Sequence, residues 1–309
     1  MGIVVIGATF VDIKGFPQDS YIPTGRNVGH IEYVHGGVSR NVAEDIANVE
    51  LRPTYVGIVD DSPLGKAVIE KLQNHKVNTD YVLELPDGMG TWLAIFDNNG
   101  DVAGSISQRP NMMPLLDLFE EKGDEIFGNA DSIIIEADLD TLIIKKALQL
   151  SEKYNKKIYA VISNMSLAAE RRDLLRKFSC IICNQQEAGI FFADDYAQKS
   201  PEELRDIISM KVAGAQLPSM VVTMGSNGSV YAEPNGNKGI CPAKKIQIKD
   251  TTGAGDSFCA GVVIGLTYGK NLAESVEIGT SLAASVITSS ENVCPRFQPR
   301  ELGLDIDVK

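Results

Sequence analysis

Positive charge is in short supply in this chain. Its 309 residues carry 29 Lys+Arg against 41 Asp+Glu, a formal net charge of −12. A nucleic-acid coat or a polybasic membrane binder needs clustered cations, so charge argues against both partners. An anionic small molecule stays admissible, because a few converging backbone N–H groups can hold one. Cysteines are sparse and odd in number: Cys180, Cys183, Cys241, Cys259 and Cys294. Their mostly apolar settings point to reduced, intracellular thiols rather than a disulfide framework. Cys180 and Cys183 form a CxxC, but no second CxxC or HxxxH follows. Structural zinc normally wants four ligands, so these two read as core cysteines of a buried strand. No stretch reaches the ~18–20 apolar residues that span a bilayer, and Met1–Gly7 lacks a basic, signal-like start. A soluble cytoplasmic protein is expected. Also missing are a GxxxxGK[ST] loop and the HRD and DFG pair. A dinucleotide fold would need GxGxxG after the first strand, which Gly7-Ala-Thr-Phe-Val-Asp12 does not supply.

What is present is a globular composition, with 44% hydrophobic and 23% charged residues, which makes wholesale disorder implausible. Short β-branched apolar runs recur at Ile3–Ile6, Thr54–Val59, Ser132–Ile135, Lys157–Ile162, Cys180–Cys183 and Met220–Thr223. Nearly continuous apolar runs of this length suit strands buried on both faces of a parallel sheet. Between them, Val38–Val49, Leu64–Leu72, Asp140–Tyr154 and Pro201–Ala213 have helical spacing; the last has Ser200 as N-cap, Pro201 at N1 and Glu203 at N3. The alternation predicts an α/β fold, a three-layer α-β-α sandwich around a mostly parallel sheet. Two segments break the rhythm, about 13–35 and 88–108. The second holds two strands joined by Asp97-Asn-Asn-Gly-Asp101, a hairpin signal. Both read as a small β lid on the sheet's edge, so residues 1–309 are expected to form one domain with a lid.

The densest chemical signal is Ile248-Lys-Asp-Thr-Thr-Gly-Ala-Gly-Asp-Ser-Phe258. Gly253 and Gly255 are expected in turn dihedrals closed to larger residues. A Gly253-Ala254-Gly255 turn opening a helix aims N–H groups at one point, where the helix dipole adds positive potential. That is an anion hole suited to a transferring phosphoryl group. Asp256, in the first helical turn, is placed to take a proton from an attacking hydroxyl.

Asp250–Asp256 reproduces DTTGAGD, the carboxy-terminal signature of the PfkB, or ribokinase-like, carbohydrate and nucleoside kinases, which this chain resembles over nearly its full length. Gly36-Gly-Val-Ser-Arg-Asn-Val-Ala43 is similar to the family's amino-terminal GGxxxN motif, and Val56–Gly65 to its VGxVGDDxxG turn. Asn184-Gln-Gln-Glu187 resembles NxxE, and Val222–Gly228 the strand and glycine turn that hold the nucleotide. The resemblance implies ATP as phosphoryl donor and Asp256 as base, with Gly253, Ala254 and Gly255 as the anion hole. It implies that Glu187 acts on Mg²⁺ through waters, and that Asn184, Thr223, Gly225 and Gly228 line the nucleotide groove. Asp12, Gly37 and Asn41 would bind the acceptor's hydroxyls beneath the lid. The plainer alternatives are a turn residue for Asp12 and a strand residue for Thr223. A monovalent cation near Asp250 and Thr252 and a homodimer through the lid are further family features.

The acceptor is read from finer details. Gly36–Asn41 with its Arg40, Val11–Phe16, Thr91–Asp97 and Ser289–Pro295 resemble the pseudouridine-kinase branch, while Val161–Ser166 and Ser105–Pro110 depart from it. The expectation is transfer to the hydroxymethyl group of a sugar or nucleoside, with pseudouridine first. A simple sugar kinase and a catalytically silent ligand-binding regulator are the alternatives. Arg109 is either a pocket cation or a solvated lid side chain.

Overall fold

The computed structural model describes residues 2–306. The strands in chain order are β1 (Val4–Ile6), β2 (Phe10–Pro17), β3 (Gly29–Gly36), β4 (Thr54–Val59), β5 (Asn78–Glu84), β6 (Gly90–Phe96), β7 (Val102–Gln108), β8 (Ile133–Glu136), β9 (Ile158–Val161), β10 (Cys180–Asn184), β11 (Met220–Thr223), β12 (Ser229–Ala232) and β13 (Lys238–Cys241). The helices are α1 (Val38–Asn48), α2 (Pro63–Asn74), α3 (Leu115–Asn129), α4 (Thr141–Lys153), α5 (Met165–Ala169), α6 (Arg172–Leu175), α7 (Gln185–Phe192), α8 (Pro201–Ala215), α9 (Ala254–Thr267) and α10 (Leu272–Ile287).

Nine strands form one sheet in the order β13-β12-β11-β10-β9-β8-β1-β4-β5. It is parallel from β11 to β5, with β12 and β13 added antiparallel at one edge. Side chains alternate across it, because successive Cβ atoms in a strand point to opposite faces. Val4, Ile6, Ile133 and Ile135 therefore join one core with α3, α4, α7 and α8. Val5, Tyr55 and Ile134 join the other, with α1, α2, α9 and α10. The expected three-layer sandwich is thus observed, and all six expected central strands are in it within two residues at each end.

Cys180 and Cys183 lie buried in β10, where burial pushes the Cys180 thiol up to about 12 and Cys183 higher still. Ser200 caps α8 in a reciprocal box with Glu203, as its sequence indicated. Small residues explain how α9 meets α10: a Cβ on Gly261 would stand 2.6 Å from Gly279 Cα. The outer strands β5, β12 and β13, and the helices α3, α7 and α10, were not singled out in sequence. β5 is half-exposed and broken by polar residues, so its pattern lacks the continuous apolar run of the centre.

The two segments outside the rhythm form a second sheet of four strands, order β3-β2-β6-β7, with the expected β6–β7 hairpin at one edge. It begins earlier than expected, at Phe10, so Asp12 sits within β2 rather than in a turn.

Candidate active site

In open α/β sheets, ligands meet the protein outside the carboxyl ends of the strands, and here the sequence signals gather at those ends. Asn184 ends β10 and Thr223 ends β11, paired directly across the two strands. Asn184 Oδ1 accepts from the Glu187 N–H, and Glu187 Oε2 accepts from the Asn184 N–H, both at 2.8 Å. The NxxE spacing is therefore also a helix-start box for α7. Burial pushes the Glu187 carboxyl up; the Asn184 N–H counters this and the charge of Asp138 adds to it. Among the described residues, no three His, Cys, Asp or Glu side chains converge on a metal position. With one oxygen committed to the cap, Glu187 suits a cation that keeps most of its shell as water and phosphate oxygen, as Mg²⁺ does.

Gly253 opens α9 with φ of +80°, and a Cβ there would lie 1.9 Å from the Asn292 carbonyl oxygen. Both facts demand glycine. Gly255 corrects the sequence expectation: it lies inside α9 without a positive φ, and a Cβ on it would meet nothing within 4 Å. Its lack of a side chain keeps space open rather than permitting a turn. Asp250 Oδ1 accepts from both the N–H and the hydroxyl of Thr252, each at 2.9 Å. Burial alone would raise Asp250, but these bonds bring it below the usual carboxylate range.

Asp256 follows in the first turn of α9. Burial pushes its carboxyl up to about 6; the Asn41 hydrogen bond and the charge of Arg40 pull it back, while Asp12 and Glu187 add to the rise. Asn41 Nδ2 donates to Asp256 Oδ2 at 2.7 Å, across 215 positions of sequence.

Two adjoining cavities meet at Thr223 and Gly255. One, of about 170 Å³, is lined by Gly225, Gly228, Lys244, Ala254 and the α10 face that includes Ala283 and Ala284. Gly228 has φ of +87°, and a Cβ there would strike the Cys241 carbonyl at 2.1 Å. The other, of about 220 Å³, is lined by Asn184, Glu187 and Asp256. On the opposite side, Asp12 packs against Gly36, where a Cβ would stand 2.5 Å from its carboxylate. Burial raises Asp12, with Lys14 and Arg40 opposing. Gly37 caps α1, which carries Asn41.

Arg109 is paired, and its side chain is still 33% exposed. Its Nη2 pairs with Asp138 Oδ2 at 2.5 Å, and Ser163 donates to the same oxygen at 2.7 Å. Asp138, Lys244 and the α10 stripe Thr280, Ala283, Ala284 and Ile287 were missed in sequence. The i, i+3, i+4, i+7 run of small and apolar residues was the available signal for the last.

A mostly parallel sheet with a glycine-opened helix start, a buried carboxylate and two adjoining cavities beside the carboxyl ends of its strands suits an α/β phosphotransferase. The profile of the pfkB family carbohydrate kinases matches residues 2–294, and the chain belongs to that family. It is an enzyme that phosphorylates a sugar or nucleoside. It is 33% identical to guanosine-inosine kinase of Exiguobacterium acetylicum, over 94% of this chain and 95% of that one. Identity to pseudouridine kinase of Escherichia coli is 22%, over 93% and 90% of the two chains. Arabidopsis thaliana ribokinase, solved with ribose and ATP, superposes with a TM-score of 0.85 at 19% identity, covering 99% of both chains.

Proposed function

We propose that the enzyme transfers the γ-phosphoryl group of ATP to a hydroxymethyl group of a nucleoside. The observation that carries this is Asp256, half-buried at the mouth of the Gly253–Gly255 helix start and held by Asn41. The acceptor's hydroxyl gives its proton to Asp256 as its oxygen bonds to the γ-phosphorus, and the bond to ADP breaks. Backbone N–H groups of Gly253, Ala254 and Gly255 meet the charge on the transferring group. Thr223, Gly225 and Gly228 border the nucleotide, and Asp12, Gly37 and Asn41 the acceptor. Glu187, through waters, would hold Mg²⁺, whose chemistry is to offset phosphate charge. A monovalent cation beside Asp250 and Thr252 belongs to the same reading and is checked by the K⁺ dependence of turnover.

Two observations favour a nucleoside over a free sugar. Trp92 shares a row of the smaller sheet with Asp12 and stands edge-on to Phe96, which stacks on Phe16 at 4.8 Å. An aromatic face beside Asp12, the carboxylate proposed to hold the acceptor, suits a base rather than a sugar alone. The higher identity to a guanosine-inosine kinase than to a pseudouridine kinase moves purine nucleosides ahead of pseudouridine. The intact Asp256 and Gly253 speak against a silent regulator. A panel of guanosine, inosine, pseudouridine, uridine, adenosine, ribose and fructose, read by ADP release, tests this. Nucleosides turning over ahead of both sugars supports it, and no turnover with any acceptor overturns it.

The opposite face of the smaller sheet carries exposed Tyr33, Leu93 and Ile106 in one row, with Ile31 and Ile95 in the next. Such a patch suits a self-complementary contact, so the lid is proposed to pair two copies. Sedimentation of the wild type beside Ile106→Asp checks it: a dimer that dissociates supports the contact, and a wild-type monomer refutes it. Five buried free thiols fit a reducing, cytoplasmic setting.

A further inference from the structure

Asn41 reaches Asp256 through an amide whose two ends are chemically different, so something must decide which end faces the base. Arg40 is only 1% exposed, deep in α1. Its Nη2 donates to Asn41 Oδ1 and to the His35 carbonyl, and its Nη1 pairs with Glu44. Asn292 Nδ2 donates to the same two acceptors, His35 O at 3.1 Å and Asn41 Oδ1 at 3.3 Å. A guanidinium has no acceptor and a carbonyl has no donor. His35 O therefore orients the Asn292 amide, while Arg40 and Asn292 together hold Asn41 Oδ1. Only Asn41 Nδ2 is left for Asp256. A donor there favours the ionised carboxylate, which is the form that takes a proton. If Asn41 turned over, its Oδ1 would accept from protonated Asp256 and favour the idle form.

Asn292 is itself fixed. Its backbone carbonyl packs on Gly253, and two residues on, the Cys294 N–H donates to buried Asp45 at 2.6 Å. Asp45 also accepts from Ser257, the neighbour of Asp256, at 2.8 Å. His35, the shared acceptor, belongs to β3 of the smaller sheet.

We propose that Arg40 and Asn292 are positioning residues that lock the Asn41 amide with its donor on Asp256, and that they tie this orientation to the end of the lid strand at His35. The inference rests on the phosphoryl-transfer reading of Asp256, so it needs a readout that does not depend on turnover. The side-chain amide of Asn41, observed in protein selectively ¹⁵N-labelled on asparagine and assigned by its loss in Asn41→Ala, supplies one. In Asn292→Ala, Asn292→Leu and Arg40→Lys, that signal should move and exchange with solvent at least ~10-fold faster, because a bond to a charged group is lost or loosened. The same variants should lose about tenfold or more in kcat, with KM for ATP changed less than twofold. Arg40→Lys is informative because a single ammonium cannot span Glu44, His35 and Asn41 as the planar fork does. Should it fail to fold, the Asn292 pair decides alone. Asn292→Leu keeps most of the volume, so a packing role leaves it active while Asn292→Ala fails; an orienting role disables both. An unmoved Asn41 amide in the folded variants overturns the inference. A wild type that phosphorylates no acceptor sinks the kinase reading instead, and the amide signal still decides this one.

Discussion

On the proposed reading, the two sides of the active cleft are built by different means. The nucleotide side is made of backbone. Gly253 and Gly228 hold positive φ against neighbouring carbonyls, Asn184 and Glu187 cap a helix, and Asp250 closes its own turn. The residues that form each device lie within a few positions of one another, while the carbonyls that confine Gly253 and Gly228 come from Asn292 and Cys241. The acceptor side is made of side chains brought from distant strands: Asp12 on β2, Asn41 on α1, Trp92 on β6, and Arg109 pinned to Asp138 beyond β8. Backbone devices tolerate few substitutions, since only glycine or a capping side chain satisfies them. Side-chain surfaces can be re-dressed while the scaffold stands, which is how one fold serves several acceptors.

This contrast can be broken by experiment. Gly253→Ala forces a Cβ into the Asn292 carbonyl at an unfavourable φ, so kcat should fall ~10²–10³-fold as the anion hole deforms, with a stability loss of ~1–3 kcal/mol. Gly255→Ala, only two positions on, should raise KM for ATP while the melting temperature holds or rises, since Ala is the better helix former. Equal destabilisation of the two variants in thermal melts would refute the division between turn and space.

On the acceptor side, Trp92→Ala should raise KM for the best nucleoside about tenfold, by loss of stacking of order 1–3 kcal/mol, and leave KM for ATP alone. Since Trp92 is the chain's single tryptophan, quenching of its fluorescence by nucleoside but not by ribose reports the same contact without turnover. Quenching by ribose to the same extent would remove Trp92 from base recognition.

A last effect, read in stability rather than turnover, concerns what joins the two sides. Burial lifts Asp45 to about 8, against the Cys294 and Ser257 bonds that favour its charge. Its folded value lies above its unfolded one, so the fold takes up a proton there, and stability falls as pH rises from about 4 to 8. Denaturant melts across that range should slope downward, and Asp45→Asn should flatten the slope. An unchanged slope in the variant would place the titration elsewhere.

The same contrast explains what the sequence disclosed. The central strands were legible because burial on both faces demands continuous β-branched runs, and Ser200-Pro201 with Glu203 because a cap is local. DTTGAGD, NxxE and the Gly225–Gly228 turn were legible for the same reason. Gly255 was misread because glycine's two uses, permitting φ and leaving space, look identical in one dimension. Asp138, Lys244 and Asn292 carry no local signature; their roles exist only once β8, β13 and the segment after α10 converge. Arg109 stayed ambiguous until its partner, 29 residues away, was in view.

The proposed mechanism turns on Asp256 taking the acceptor's proton. The pH dependence of kcat/KM for the acceptor at saturating ATP, measured for the wild type beside Asp256→Asn, tests it most directly. A base must be ionised to act, so the wild-type value should rise with pH through an apparent pKa near 6, where burial sets Asp256, and then level off. Asp256→Asn should fall ~10²–10⁴-fold and lose that limb. A variant that keeps full turnover, or the same limb at the same pH, would contradict it.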